Sequence, residues 1–231
     1  MSEPGQWPPP MPARDAVRED ELDAYDRVVE RQTAYGYADF VKRFRHPEVL
    51  RAFPGDRVQP YFAALLNSPL IAAGMSDLGA VYRRTGEYEG GMRHIDREWV
   101  DMVMSDELGI NWVLYVHAPD AAAVGVRPEA ILALVRGHED ELTDDERQMA
   151  DFIRAVARGT MTTALYRAVE DRLGVRGAVE LTAFCGHLIK TTRLMQAWGI
   201  PDISKQQLEE FVQGIVEGEV ELPQRARVPV K

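Results

Sequence analysis

Residues 111–125 read NWVLYVHAPDAAAVG. Apart from Tyr115, the only ionisable side chains in the run are His117 and Asp120, set among Trp, Val, Leu and Ala. An apolar run longer than the usual 4–8 residues of a buried strand, closed by a glycine, predicts a buried helix over 111–124 with Gly125 as its exit. Pro119 sits inside it. In a continuous helix this proline removes the bond to the carbonyl of Tyr115, at a cost of about 3 kcal/mol, and bends the backbone two residues from His117. Irregularity beside a buried histidine points towards a site. The alternative is that His117 ends one helix, Pro119 opens the next, and the histidine is a core residue with a satisfied hydrogen bond.

Working outward, helical patterns cover 57–66, 69–84, 95–107, 128–136, 144–158, 162–173, 176–198 and 204–217. Pro69 and Pro128 suit first turns, Asp144 suits a cap, and Gly174 and Gly199 suit exits. A further helical pattern starts at Asp15, where Leu22, Tyr25, Val28 and Val29 recur at spacings of three and four. Pro54-Gly55 breaks the chain after it, and no segment alternates like a strand between hairpin turns. The first dozen residues hold five prolines and predict an extended arm, and 218–231 an extended tail. The expected fold is all-α: a single multi-helix domain with extended N- and C-terminal arms. Its parts are an N-terminal arm and helix over 1–56, a helical domain over 57–203, and a C-terminal helix and tail over 204–231.

Composition removes several functions. The chain carries 37 acidic against 27 basic residues, a net charge of −10, and no Lys/Arg cluster, which argues against a nucleic-acid partner. No apolar run reaches the length of a membrane span, and MSEPGQWPPPMPARD lacks the basic and apolar regions of a signal peptide, so the expectation is a cytoplasmic protein with no membrane partner. One cysteine, Cys185, allows no internal disulfide.

Two helices carry ionisable groups on apolar stripes. In 95–107, Glu98 lies one turn from Ile95 and Met102, and in 111–124 His117 lies among Val113, Leu114 and Ala121. A buried charge is costly unless paired, so Glu98 and His117 are candidates for each other. His94 is one turn before Glu98, and with His117 and His187 these residues form a conceivable metal set, though single ligands dispersed over three helices carry a weak signal. His187 suits either a cavity lining or a bond to a carbonyl. Tyr115 suits either a core aromatic or a donor to a substrate oxygen, and Trp112 a core aromatic or a pocket wall. Arg97 and Arg193 suit substrate carboxylates or plain solvation, and His46 and His138 read as surface residues.

From about Phe62 to Pro201 the chain resembles the carboxymuconolactone decarboxylase-like family, which includes the alkylhydroperoxidase D-like proteins. The matching residues are Arg97-Glu98, His117-Ala-Pro-Asp with Gly125, Pro128-Glu129-Ala-Ile131, Leu142-Thr-Asp-Asp-Glu146-Arg147, Leu173-Gly174, Glu180-Leu181, Gly186-His187 and Gly199-Ile200-Pro201. The resemblance implies a fold of the alkylhydroperoxidase D-like type, a trimer or hexamer, no required metal or other cofactor, and a proton relay in which a glutamate precedes a histidine. Here 117 − 98 = 19 positions separate the pair, as the relay requires. In the peroxidase branch a C-x-x-C pair precedes the histidine, and Ile110 and Val113 stand in its place. Without a thiolate nucleophile dithiol peroxidase chemistry has no start. Many other relatives carry Tyr-Glu-Trp before the histidine, and this chain departs there too, with Val113 and Leu114 at the last two positions.

The expected function is therefore a cofactor-independent lyase acting on a small organic acid, lactone or aromatic-derived ring compound, with decarboxylation as the leading reaction. His117, Glu98 and Tyr115 are the expected catalytic residues, and Trp112, His187, His94, Arg97 and Arg193 the expected substrate contacts. The same pair would equally serve an isomerase, hydratase or lactone hydrolase, and the fold without the chemistry would serve as an oligomeric ligand-binding protein. Helices as apolar as 111–124 and 176–198 add to the expectation of a homo-oligomer.

Overall fold

The computed structural model describes residues 8–34 and 58–223. His46, the Pro54-Gly55 break, the first seven residues and the end of the C-terminal tail lie outside them. Among the described residues 76% are helical, in nine α-helices and four short 3-10 turns, and none is in a strand. The all-α expectation is met. The helices are α1 (Leu22–Ala34), α2 (Pro60–Leu65), α3 (Pro69–Arg84), α4 (His94–Leu108), α5 (Asn111–Val124), α6 (Pro128–Arg136), α7 (Asp144–Arg158), α8 (Thr163–Ala197) and α9 (Lys205–Val216). Helix α8 is broken at Gly174, whose φ of 74° and ψ of 167° leave the helical region, so the exit expected there is present inside one long element. The helical pattern from Asp15 resolves differently: Arg14–Ala16 and Glu19–Glu21 are 3-10 turns, and the α-helix starts only at Leu22.

Local chemistry sets these boundaries. Pro128 occupies the first turn of α6, where its missing N–H costs nothing. Gly109, Gly125, Gly137 and Gly159 close α4 to α7 in the left-handed conformation, returning N–H groups to the last carbonyls. The cap of α7 is Thr143 and not Asp144: its hydroxyl accepts from the Glu146 N–H at 3.3 Å while the Glu146 carboxylate accepts from the Thr143 N–H at 2.8 Å. That reciprocal pair satisfies two orphan donors, which Asp144, already inside the helix, cannot do. Gly91, in the turn before α4, is needed for space. A Cβ there would fall 2.1 Å from the carbonyl oxygen of Thr85.

The chain divides into two compact units, Met1–Val81 with Arg193–Pro201, and Tyr82–Thr192 with Asp202–Lys231. In the first, α1 buries Ala24, Tyr25 and Val28. The described part of the arm is tied down by the Tyr25 hydroxyl donating to the Pro12 carbonyl at 2.8 Å and Asn67 Nδ2 donating to the Pro10 carbonyl at 2.9 Å. Arg31 pairs with Asp77 at 2.9 Å.

In the second unit α4 is the central element, packed against α5, α6 and α7, while α9 packs on α5 and α6. Met102, Met104, Leu114, Tyr115, Ile131, Leu134, Phe152, Ile153 and Phe211 are fully buried. Each such side chain contributes roughly 1.5–3 kcal/mol, which is what holds α4 and α5 side by side. Helix α5 buries Trp112, Val113, Leu114, Tyr115, Ala118, Pro119 and Ala121 within the chain itself. Its apolar character is spent on the core and is no argument for a partner.

Pro119 is inside a continuous α5. Of the two readings of the proline, the structure selects the single helix that runs through it.

Candidate active site

Helix α4 presents His94, Arg97, Glu98 and Asp101 at spacings of three, four and seven, so all four share one side of the helix. Two of them are carboxylates with almost no access to water: Glu98 is 1% exposed and Asp101 2%. A buried carboxylate costs several kcal/mol unless its charge and lone pairs are met. Glu98 is met from three sides. Arg97 Nη2 donates to Oε1 at 2.7 Å, His94 Nε2 lies 2.8 Å from the same oxygen, and His117 Nδ1, from α5, lies 3.1 Å from Oε2. Arg97 Nη2 also touches His94 Nε2. The Glu98–His117 pair expected from the sequence is present, and it bridges the two helices.

Asp101 was not expected. It sits one turn after Glu98, and its Oδ2 lies 3.6 Å from His117 Nδ1, just beyond hydrogen-bond reach. That oxygen is buried and accepts no hydrogen bond from the protein. The Asp101 backbone carbonyl, by contrast, accepts from Ser105 Oγ at 2.5 Å. The signal for Asp101 was there to be read, since an aspartate among Trp99, Val100, Met102 and Val103 is as anomalous as Glu98.

The electrostatics follow from this geometry. Burial pushes the Glu98 carboxyl up, but the bonds from His117 and His94 and the charges of His117 and Arg97 prevail and hold it well below the ordinary carboxylate range. Asp101 has fewer partners, so burial wins, with Glu98 repulsion adding to it against His117 and Arg97, and its carboxyl is pushed up to about 7. For His117, burial favours the neutral ring, yet the Asp101 charge, the Glu98 bond and the Glu98 charge together raise it to about 9. The His117 side chain keeps 38% exposure, so water screens part of that field. With Nδ1 turned to Glu98, Nε2 is the ring nitrogen left for other chemistry.

The remaining expected site residues each have partners of their own. Tyr115 is two residues from His117, about 200° around the helix, and is fully buried with its ring 4.3 Å from that of Phe211. It packs the core in place of the substrate contact expected of it. Trp112 is buried and stacks on Tyr115 at 6.4 Å, while its backbone N–H donates to Asp202. His187 lies between Phe184, stacked at 6.1 Å, and Tyr82 at 5.2 Å, with Lys190 Nζ 3.5 Å from Nδ1. Burial, then the Lys190 and Arg83 charges, pull its imidazole down to about 4. His187 is not among the described residues whose donor atoms converge with those of Glu98 and His117, so it falls out of the conceivable metal set. Arg97 is spent on Glu98, and Arg193, in the first unit, donates to Gln196 at 2.6 Å. His138 is exposed on the surface as expected, 3.3 Å from Glu141.

Ile110 and Val113 are buried, and Cys185 is the lone, buried thiol. Burial, with the Asp101 charge, pushes that thiol up, so it stays protonated at neutral pH and offers no nucleophile. A cavity of about 200 Å³ in the second unit, lined by residues that include Ser105, Asp106, Asn111 and Lys205, contains none of the expected site residues.

Comparison of the chain with models of known families, with curated proteins and with solved structures finds no match.

Proposed function

We propose that the chain is an acid–base enzyme of the carboxymuconolactone decarboxylase-like type, with an alkylhydroperoxidase D-like fold. Its substrate is a small organic acid, lactone or aromatic-derived ring compound, and its reaction a decarboxylation that needs no cofactor. The observation that carries this reading is the hydrogen bond between Glu98 Oε2, buried in α4, and His117 Nδ1, on the partly exposed ring of α5.

The surroundings favour His117 as the acid. Two buried carboxylates within 3.6 Å of Nδ1 stabilise an imidazolium, so the ring rests charged. Decarboxylation asks for a cation near the developing negative charge and then a proton, and it asks for no initial base. The carbon–carboxylate bond breaks, carbon dioxide leaves, and the electron pair enters the substrate as an enolate. His117 gives a proton to the enolate carbon, and a proton from water restores the imidazolium. Glu98 is a positioning residue: it fixes the ring and stabilises its charge, while Arg97 and His94 hold Glu98.

A panel of small carboxylated lactones and ring-derived keto acids, followed by carbon dioxide release, tests the proposal. On an accepted substrate His117→Gln should lower turnover about 10²–10⁴-fold per folded molecule, and Glu98→Gln by less, because the imidazole remains. Near wild-type turnover in His117→Gln, normalised to the folded fraction, would make the histidine a core residue and sink the reading.

A further inference from the structure

We propose that Glu98 Oε2, Asp101 Oδ2 and His117 Nδ1 form a binding site for one divalent first-row metal ion of the zinc or cobalt kind. This goes beyond the acid–base reading, which is of the metal-free protein: an ion at Nδ1 takes the place of the proton shared with Glu98.

The donor geometry is the first ground. One oxygen or nitrogen atom from each of the three side chains lies within 4.8 Å of the others. His117 Nδ1 is 3.1 Å from Glu98 Oε2 and 3.6 Å from Asp101 Oδ2. Donors each about 2.1 Å from a common ion, at tetrahedral or right angles, lie roughly 3.0–3.5 Å apart. The two spacings to Nδ1 lie in or next to that range, and the spacing between the carboxylates is within 4.8 Å, so closing on an ion asks for a small rotamer adjustment.

The second ground is Asp101. Its Oδ2 is buried, aimed at His117 and without a hydrogen bond. Leaving a buried acceptor unmet costs about 1–3 kcal/mol, and more when it is charged. The His117 Nδ1 proton cannot repair this, because it is directed to Glu98. A cation among the three donors satisfies both carboxylates at once and relieves their mutual repulsion.

The support behind the donors has the form metal sites use. Glu98 Oε1, the oxygen facing away from His117, is held by Arg97 and His94, so Oε2 is pre-oriented. The two carboxylates are fixed one turn apart on one helix, and the partly exposed imidazole gives an ion a route in. One imidazole with two carboxylates selects a borderline first-row ion over calcium, which prefers six to eight oxygens. The Arg97 guanidinium opposes a cation, and its charge sets the affinity below that of an all-anionic site.

Zinc titrated calorimetrically into the full-length protein, cleared of metal by chelator, provides the test, with cobalt(II) absorption as a second readout. The expected result is one ion per chain, with Asp101→Asn and His117→Gln each weakening zinc binding at least about 100-fold and His117→Gln altering the cobalt spectrum. Circular dichroism establishes that the variants are folded. Should Asp101→Asn fail to fold, the His117→Gln titration and cobalt spectrum decide alone. Absence of saturable binding to the wild type, or equal binding by the wild type and folded variants, overturns the proposal. No substrate is present, so failure here leaves the decarboxylase reading standing, and failure of that reading leaves the zinc result intact.

Discussion

At the scale of single residues, His117 and His187, both in the second unit, have opposite electrostatic fates. His117 gains two carboxylates and is held charged, whereas His187 gains Phe184, Tyr82 and the cations Lys190 and Arg83 and is held neutral, near 4. A histidine whose folded value lies below its unfolded value of about 6.5 contributes stability above that value and loses it as pH falls towards 4. In thermal melts from pH 7 down to pH 4, Tm should therefore fall less steeply, or rise more, in His187→Phe, which keeps the aromatic packing, than in the wild type, whose other buried groups such as Asp101 titrate in both. An unchanged slope in the variant would contradict the assignment. Glu98 and His117 were legible in the sequence, because each breaks an apolar stripe. Asp101 breaks the same stripe, but with Glu98 and His117 already matched to each other nothing in the sequence asks for a second carboxylate. Helical geometry alone would have separated Tyr115 from His117, two positions and half a turn apart. That Arg97 bonds its neighbour Glu98 was not legible, because spacing places both on the His94 side of α4 without saying which group the guanidinium meets.

At the scale of elements, nearly every helix stands where apolar spacing, glycine exits and first-turn prolines placed it. The misses are end effects. Two 3-10 turns occupy the acidic stretch before Leu22, and Thr143 caps where Asp144 was expected. The start of α5 falls at residue 111 as expected, but its cap was beyond local reading. Asp202, 90 residues away in the chain, accepts from the Trp112 N–H at 2.6 Å through Oδ1 and from the Asn111 N–H at 2.9 Å through Oδ2. The carboxylate thus caps the helix that carries His117 and faces its positive end. Asp202→Ala should cost about 1–2 kcal/mol, read as a lower denaturation midpoint with an unchanged slope. A variant as stable as the wild type would show that the cap is ornamental.

At the scale of the whole molecule, the described chain buries its polar cluster and leaves some large apolar side chains outside. Leu70, Ile71, Leu78 and Val81 are exposed and fall within about 100° of one another around α3. An exposed apolar stripe of this kind is what a further copy of the chain would cover. A homo-oligomer, expected from the sequence as a trimer or hexamer, would bury this stripe. Light scattering should return a whole multiple of the single-chain mass, and a single-chain particle over a wide concentration range would end the expectation. The Asp202 cap also imposes an order in time. A ribosome adding 5–20 residues per second needs about 5–18 s to travel the 90 residues from Trp112 to Asp202. Until it has done so, and until Phe211 follows to cover Tyr115, α5 has neither its cap nor its lid. His117 is made well before the residues that complete its helix, so a chain cut short before residue 202 keeps every residue of the cluster and lacks both the cap and the cover of the helix that aims His117 at Glu98.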